Sequence, residues 1–154
     1  MKKKLFAALA ILLLISCLTA CNSSKSIDLA GFQKDIMDSD AFTDVISDID
    51  DKYVALMRYD IKSDDVVKFT VGVSSFATPE EYAIFEAKDE QAAKRIFDCI
   101  SNLIEMQKEA YGSYGPDQVP KLEKAIIKID GVYVIYICAD NYSTAKSVLD
   151  NNTK

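Results

Sequence analysis

There is no histidine anywhere in the 154 residues. That absence removes Ser–His and Cys–His nucleophile pairs, histidine-ligated zinc and the commonest general base together. Positive charge is scarce as well: 18 Lys and Arg stand against 24 Asp and Glu, for a net charge of −6. A polyanion is a poor match for nucleic acid or for an anionic leaflet, since both attract clustered Lys and Arg. No internal repeat and no low-complexity tract is present. The chain has one long uncharged apolar run, and it lies at the start.

That run is Leu5 to Leu18, preceded by Lys2, Lys3 and Lys4 and followed by Thr19, Ala20 and Cys21. A membrane-spanning helix needs about 20 mostly apolar residues, whereas about 10–14 is closer to a signal-peptide core. The stretch therefore reads as a cleaved leader, with an uncleaved anchor helix as the alternative. Leu18-Thr19-Ala20-Cys21 resembles the lipobox of bacterial lipoproteins. The resemblance implies cleavage after Ala20 and a diacylglycerol thioether on Cys21, placing the domain on the outer face of the cell membrane. Leu14-Ile15-Ser16-Cys17 fits the pattern more loosely and would leave a shorter apolar core. Two acyl chains hold a protein stably where one gives only marginal binding.

Without residues 1–20 the chain has 134 residues and a net charge of −9, enough for one domain but not for two. The expected organisation is a leader over 1–20, a lipidated cysteine and polar tether over 21–28, and a single domain over 29–154. Leu29 to Met37 and Val54 to Tyr59 suit short helices. Val66 to Ser74 alternates as a half-buried strand, with Val67, Phe69, Val71 and Val73 on one side. Thr78-Pro79-Glu80-Glu81 has the form of a capping box, so one helical turn and then a strand over Tyr82 to Ala87 is expected. Glu90 to Ala110 carries a wide apolar stripe through Ala92, Ile96, Cys99, Leu103 and Met106, as a helix on a sheet requires. Tyr111 to Gln118 reads as the loop that ends it.

The strongest local signal is "AIIKIDGVYVIYICAD". Asp-Gly between apolar runs predicts a hairpin turning at Asp130-Gly131, with Ile129 facing Val132 and Ile127 facing Val134. Its second side carries Ile126, Tyr133, Ile135 and Ile137, greasier than a plain solvated face. Either a second helix covers this side or it is an exposed patch for a partner. Ser143 to Leu149 completes the pattern as a helix. The predicted fold is α+β: an antiparallel sheet of about four strands in two hairpins, with helices packed on it, in strand-strand-helix-strand-strand-helix order after a short N-terminal helix.

No cofactor is implied, and each candidate for chemistry is weak. The acids between Asp35 and Asp51 do not fit a calcium loop in either register, from Asp38 or from Asp48, and suit capping and turn positions instead. Ser143-Thr144-Ala145-Lys146 matches the S-x-x-K pattern of serine acyl-enzymes but lacks the companion motifs. Cys99 and Cys138 are the remaining cysteines, either two buried thiols or a disulfide across the core.

The segments "EEYAIFEAKDEQAAKRIFDCI", "YGSYGPDQ" and "GVYVIYICAD" together resemble a family of small clostridial-type Gram-positive lipoproteins catalogued as a domain of unknown function. The likeness runs from about Asp48 to Leu149. Its markers are the Glu81 to Lys88 strand, Tyr114, Pro116, Gly131 and Tyr133; Val132 departs from the family's usual Gly-Asn-Tyr. It implies a surface location and no activity. The function expected is a non-catalytic envelope lipoprotein that binds an envelope component or protein partner, and no nucleic acid, through the Ile126, Tyr133, Ile135 and Ile137 side. The alternative is a small envelope enzyme using carboxylate or Ser/Lys chemistry.

Overall fold

A computed structural model describes residues 26–75 and 78–153. The leader, Ala20, Cys21 and most of the tether lie outside the described residues. Helix α1 spans Leu29–Met37, β1 Ile46–Asp48, α2 Lys52–Arg58, β2 Val66–Ser74 and β3 Glu81–Ala87. They are followed by α3 Glu90–Tyr114, α4 Val119–Glu123, β4 Ile126–Asp130, β5 Tyr133–Cys138 and α5 Tyr142–Asn152. The strands form one antiparallel sheet in the order β1-β2-β3-β5-β4. The α+β architecture and the two hairpins are as expected; the number of strands among the described residues is five, not four. The additional strand, β1, is three residues long and sits among acids, too short to show alternation.

Helices lie on both faces of the sheet. On one, Ile96, Ile100 and Ile104 of α3 pack over Val71, Phe85, Val134 and Tyr136. On the other, Phe32 and Ile36 of α1, with Ala145 and Leu149 of α5, cover Tyr82, Ile84, Ile135 and Ile137. The surface proposed for a partner is thereby corrected. Tyr133, Ile135 and Ile137 are 5%, 0% and 1% exposed, and Ile126 is half-buried. A central strand enclosed on both faces is apolar on both, and β5 is buried at every position. Ile27 also belongs to this second core, so the tether joins the body one residue before its expected end.

The hairpin turns one residue later than expected. Gly131 and Val132 form the turn, and Ile129 pairs with Val134 rather than Val132. Only Gly131 of the two has positive φ, at 63°, the pattern of a type II′ turn. The register moves by two residues, so each side chain keeps the face assigned to it.

Other departures have local causes. Thr78-Pro79-Glu80-Glu81 starts no helix, because Thr78 donates to Asp44 and both glutamates are drawn into buried pairs. Val67, expected on the core side, is 55% exposed because the ladder with β3 slips between Val66 and Lys68, leaving Val66 to fill the core. Helix α3 runs past Gly112 to Tyr114, so Tyr111 is buried in a helix rather than looped. Its stripe is centred on Ile96, Ile100 and Ile104, which leaves Met106 68% exposed. Gly72 is required by packing: a Cβ there would lie 2.3 Å from the Tyr82 ring.

Candidate functional site

Helix α2 is where the sequence places more apolar surface than one buried face can use. Asp51 starts the helix by accepting from the Val54 N–H at 2.9 Å. Its inner side sends Ala55 and Leu56 into the core. Its outer side carries Tyr53, Val54 and Met57, at 73%, 45% and 63% exposure. Met57 lies four positions after Tyr53 and three after Val54, so it neighbours both on the helix surface and joins them into one patch. Beside it lies a cavity of about 410 Å³ lined by Tyr53, Leu56, Met57, Asp60 and Ile61. Asp60, in the left-handed region at φ 54°, turns the chain out of α2 along the rim. The Cys99 thiol donates to its carbonyl at 3.4 Å.

The patch is held in place from beneath. Arg58 and Tyr59, at the end of α2, both reach Glu81 on β3, whose side chain is fully buried. Arg58 contacts Glu81 Oε2 through Nε at 2.8 Å and through a terminal nitrogen at 2.7 Å. Tyr59 Oη donates to the same oxygen at 3.1 Å, and Gln107 Nε2 of α3 donates to Oε1 at 3.2 Å. Burial pushes the Tyr59 phenol well up, and the Glu81 carboxylate adds to it. For Arg58 burial works against the charge, but the carboxylate prevails and the guanidinium is held more firmly protonated. Tyr59 also packs edge-on against Phe85 and Tyr136, at centroid distances of 5.4 and 6.4 Å. Among the described residues, Tyr136 Oη and Gln107 Oε1 are buried beside this cluster without a hydrogen-bond partner.

Glu80, adjacent in sequence, is 1% exposed and forms a separate pair. It accepts from the Thr43 and Asp44 N–H groups, each at 2.9 Å, from Thr43 Oγ1 at 2.7 Å and from the Lys121 ammonium of α4. Burial opposes its ionisation, yet Lys121 and these donors hold the carboxyl below the ordinary range. Lys121 also lies 3.2 Å from Asp140, so α4 is tied to the end of β5. A third buried acid, Asp65, receives Arg95 at 2.7 and 2.8 Å and Lys88 at 3.1 Å.

Asp65 gives a pH dependence with a definite sign. The bonds from Arg95, opposed by burial and aided by Lys88, hold its carboxyl far below the ordinary value of about 3.9. A depressed folded-state pKa stabilises the fold above the unfolded value and loses that contribution as the pH falls through the folded one. Stability is therefore expected to fall as the pH drops below about 4, the ordinary carboxylate value, and to go on falling toward the depressed folded-state value. Replacing Arg95 with Gln should move the acid-unfolding midpoint, followed by circular dichroism, to higher pH. An unmoved midpoint would show that Asp65 takes no part in acid unfolding.

The other candidate residues are placed as follows. Cys99 and Cys138 are free thiols, half-buried and buried respectively. Burial pushes the Cys138 thiol up strongly, the behaviour of a small core residue rather than a nucleophile. Ser143 donates to Asn141 at 2.8 Å while Lys146 pairs with Asp150 at 2.7 Å, so each half of the S-x-x-K pattern has its own partner. Asp51 caps α2, Asp38 pairs with Lys34, and Asp48 receives the Tyr82 phenol at 2.7 Å. No group of three potential metal ligands occurs among the described residues. No helix among the described residues is long and apolar enough to cross a membrane.

Sequence reasoning missed both the α2 patch and the buried glutamates. The patch had a signal, since Tyr53, Val54, Leu56, Met57 and Tyr59 leave a short helix apolar all round. The glutamates had none, because Glu after Thr-Pro suits a solvated first turn equally well.

Residues 44–139 match the family described as Domain of unknown function (DUF4358). The match includes all five strands and α2 to α4, and leaves α1 and α5 outside it. No curated protein and no solved structure matches the chain.

Proposed function

The chain belongs to this DUF4358 family, and we propose that it is a lipid-anchored surface lipoprotein of a Gram-positive cell that binds an envelope partner through α2. The observation that carries the binding part is the Tyr53, Val54 and Met57 face beside its cavity. Exposed, contiguous apolar side chains on a helix pinned by a buried ion pair are pre-organised, so little conformational entropy is lost on docking. The anchor rests on Leu18-Thr19-Ala20-Cys21. About six residues separate Cys21 from the buried Ile27, a reach of about 20 Å at 3.3–3.6 Å per residue. A partner would therefore be met close to the membrane.

The committed state of the polar groups favours binding over catalysis. A carboxylate base must be free to take a proton. Glu80 and Glu81 each face a cation and several donors, and Lys146 is occupied by Asp150.

The test is photocrosslinking in cells that express the full chain with a photoreactive residue at position 53. Met57→Lys on this exposed face should leave the fold unchanged and abolish the crosslinked product, whereas an undiminished product would reject α2 as the surface. Cys21→Ser should release the chain from the membrane fraction; retention would reject the lipid anchor.

A further inference from the structure

The root of the tether lies beside α2. Ile27 is buried in the second core, so the chain is already fixed two residues before α1 begins. Leu29 and Ala30, the first residues of α1, line a cavity of about 370 Å³ with Lys52 at the start of α2 and with Val67 and Lys68 on β2. Lys52 also lines the cavity beside Tyr53 and Met57. Its ammonium bonds the Val66 carbonyl at 3.0 Å, which ties the start of α2 to the start of β2. The start of α1, the outer side of α2 and the start of β2 therefore meet at one corner of the molecule.

That corner gathers four exposed apolar side chains, Tyr53, Val54 and Met57 on α2 and Val67 on β2. The slip of the ladder between Val66 and Lys68 is what turns Val67 outward. Charge is balanced there, with Lys52, Lys62 and Lys68 exposed against Asp51, Asp60 and Asp64. In a chain of net negative charge, a neutral corner is repelled by an anionic leaflet less than the remaining surface. The far end of the molecule is well separated from it. Arg95 of α3 pairs with Asp65 at this end of the sheet, and Gln107 reaches Glu81 at the other end of the β2–β3 ladder. Tyr114 lies further still, about 28 Å along α3 from Arg95 at 1.5 Å per residue.

We propose that this corner is the membrane-facing side of the anchored domain, with lipid of the outer leaflet covering Tyr53, Val54, Met57 and Val67. The proposal rests on Cys21 as the anchor and α2 as the docking face, and it names the bilayer itself as the partner. A tether of about six residues extends no more than about 20 Å, so the corner where it enters the fold stays next to the lipid. Four side chains fall well short of the roughly 800 Å² that each partner buries in a standard protein interface. A bilayer beneath a tethered domain requires less, because docking is then intramolecular and the effective concentration is high. A tyrosine ring, apolar with a polar tip, suits the headgroup level of a membrane.

The protein has no tryptophan, so one introduced residue reports its own surroundings. The full lipidated chain carrying Tyr53→Trp is reconstituted into vesicles of equal parts phosphatidylglycerol and phosphatidylcholine, with and without bromine on the phosphatidylcholine acyl chains. Its emission should be blue-shifted, and quenched by the brominated lipid several times more strongly than that of Tyr114→Trp, exposed at the far end of α3. Adding Met57→Lys or Val67→Lys should remove most of the quenching while the protein still floats with the vesicles. Equal quenching at positions 53 and 114, or quenching indifferent to both lysine substitutions, would overturn the proposal. A chain that does not float would overturn the anchor and the proposal with it. A floating chain whose Tyr53→Trp reporter is unquenched would overturn membrane docking alone, and a protein crosslinked at position 53 in cells would then be the occupant of α2 instead.

Discussion

Ile135→Lys is expected to leave no folded protein. Ile135 is 0% exposed at the centre of β5, paired with Ile84 on one side and Lys128 on the other, beneath α1 and α5. A lysine there loses the burial of a whole aliphatic side chain, about 1.5–3 kcal/mol. Its ammonium must then either lose its proton or sit uncompensated in the core, which costs several kcal/mol more. Domains of this size are stable by only about 5–15 kcal/mol, so the sum approaches or exceeds the total. Ile135→Val is the control and should cost about 0.5–1.5 kcal/mol. Soluble yield and urea denaturation of both variants measure the effect. A lysine variant as stable as the wild type would mean that this side of β5 faces solvent after all, as a partner surface at Ile135 would require.

The second large effect is expected at Glu81. Replacing it with Ala strands the Arg58 guanidinium and removes the acceptor of Tyr59 and Gln107. Breaking one side of a fully buried ion pair typically costs about 3–5 kcal/mol, and because the Arg58 side chain is 35% exposed and can be hydrated, the cost is expected at the lower end of that range. Replacing both partners should cost far less: Arg58→Met with Glu81→Leu substitutes apolar packing for the pair. The comparison of urea midpoints separates the two contributions. A double variant as unstable as Glu81→Ala alone would assign the cost to the bonds from Tyr59 and Gln107 rather than to the charge. Because Arg58 ends α2, the single variant should also loosen that helix and the surface on its outer side.

The two buried pairs show why part of the fold could not be read from the chain. Leu29 to Met37 and Val66 to Ser74 are found at the expected bounds, because apolar spacing over seven or more residues reports directly on helix or strand period. The start of the long helix at Glu90, capped by Asp89, was equally legible, and its end was not. Gly112 is a weak breaker when the turn around it buries the adjacent Tyr111 ring in the core, and that burial is a tertiary contact. β1 and α4 were missed for a related reason. Each is short, and each is held by a distant partner: β1 by the end of β2, and α4 by Lys121 reaching Glu80 and Asp140.

By itself the sequence determined what depends on composition and local period. It excluded histidine chemistry, placed a lipobox-like tetrapeptide at Leu18 to Cys21, set the sheet-packing helix and the β4–β5 hairpin, and made both sides of that hairpin apolar. Only the tertiary structure decided which apolar side chains are covered. Ile135 and Ile137 lie under α1 and α5, while Tyr53 and Met57 on a less apolar stretch remain in solvent. The physical reason is that hydrophobicity drives burial without specifying a partner. Which surface is left over depends on helices more than a hundred residues apart in the chain, α1 and α5, meeting over one face of the sheet.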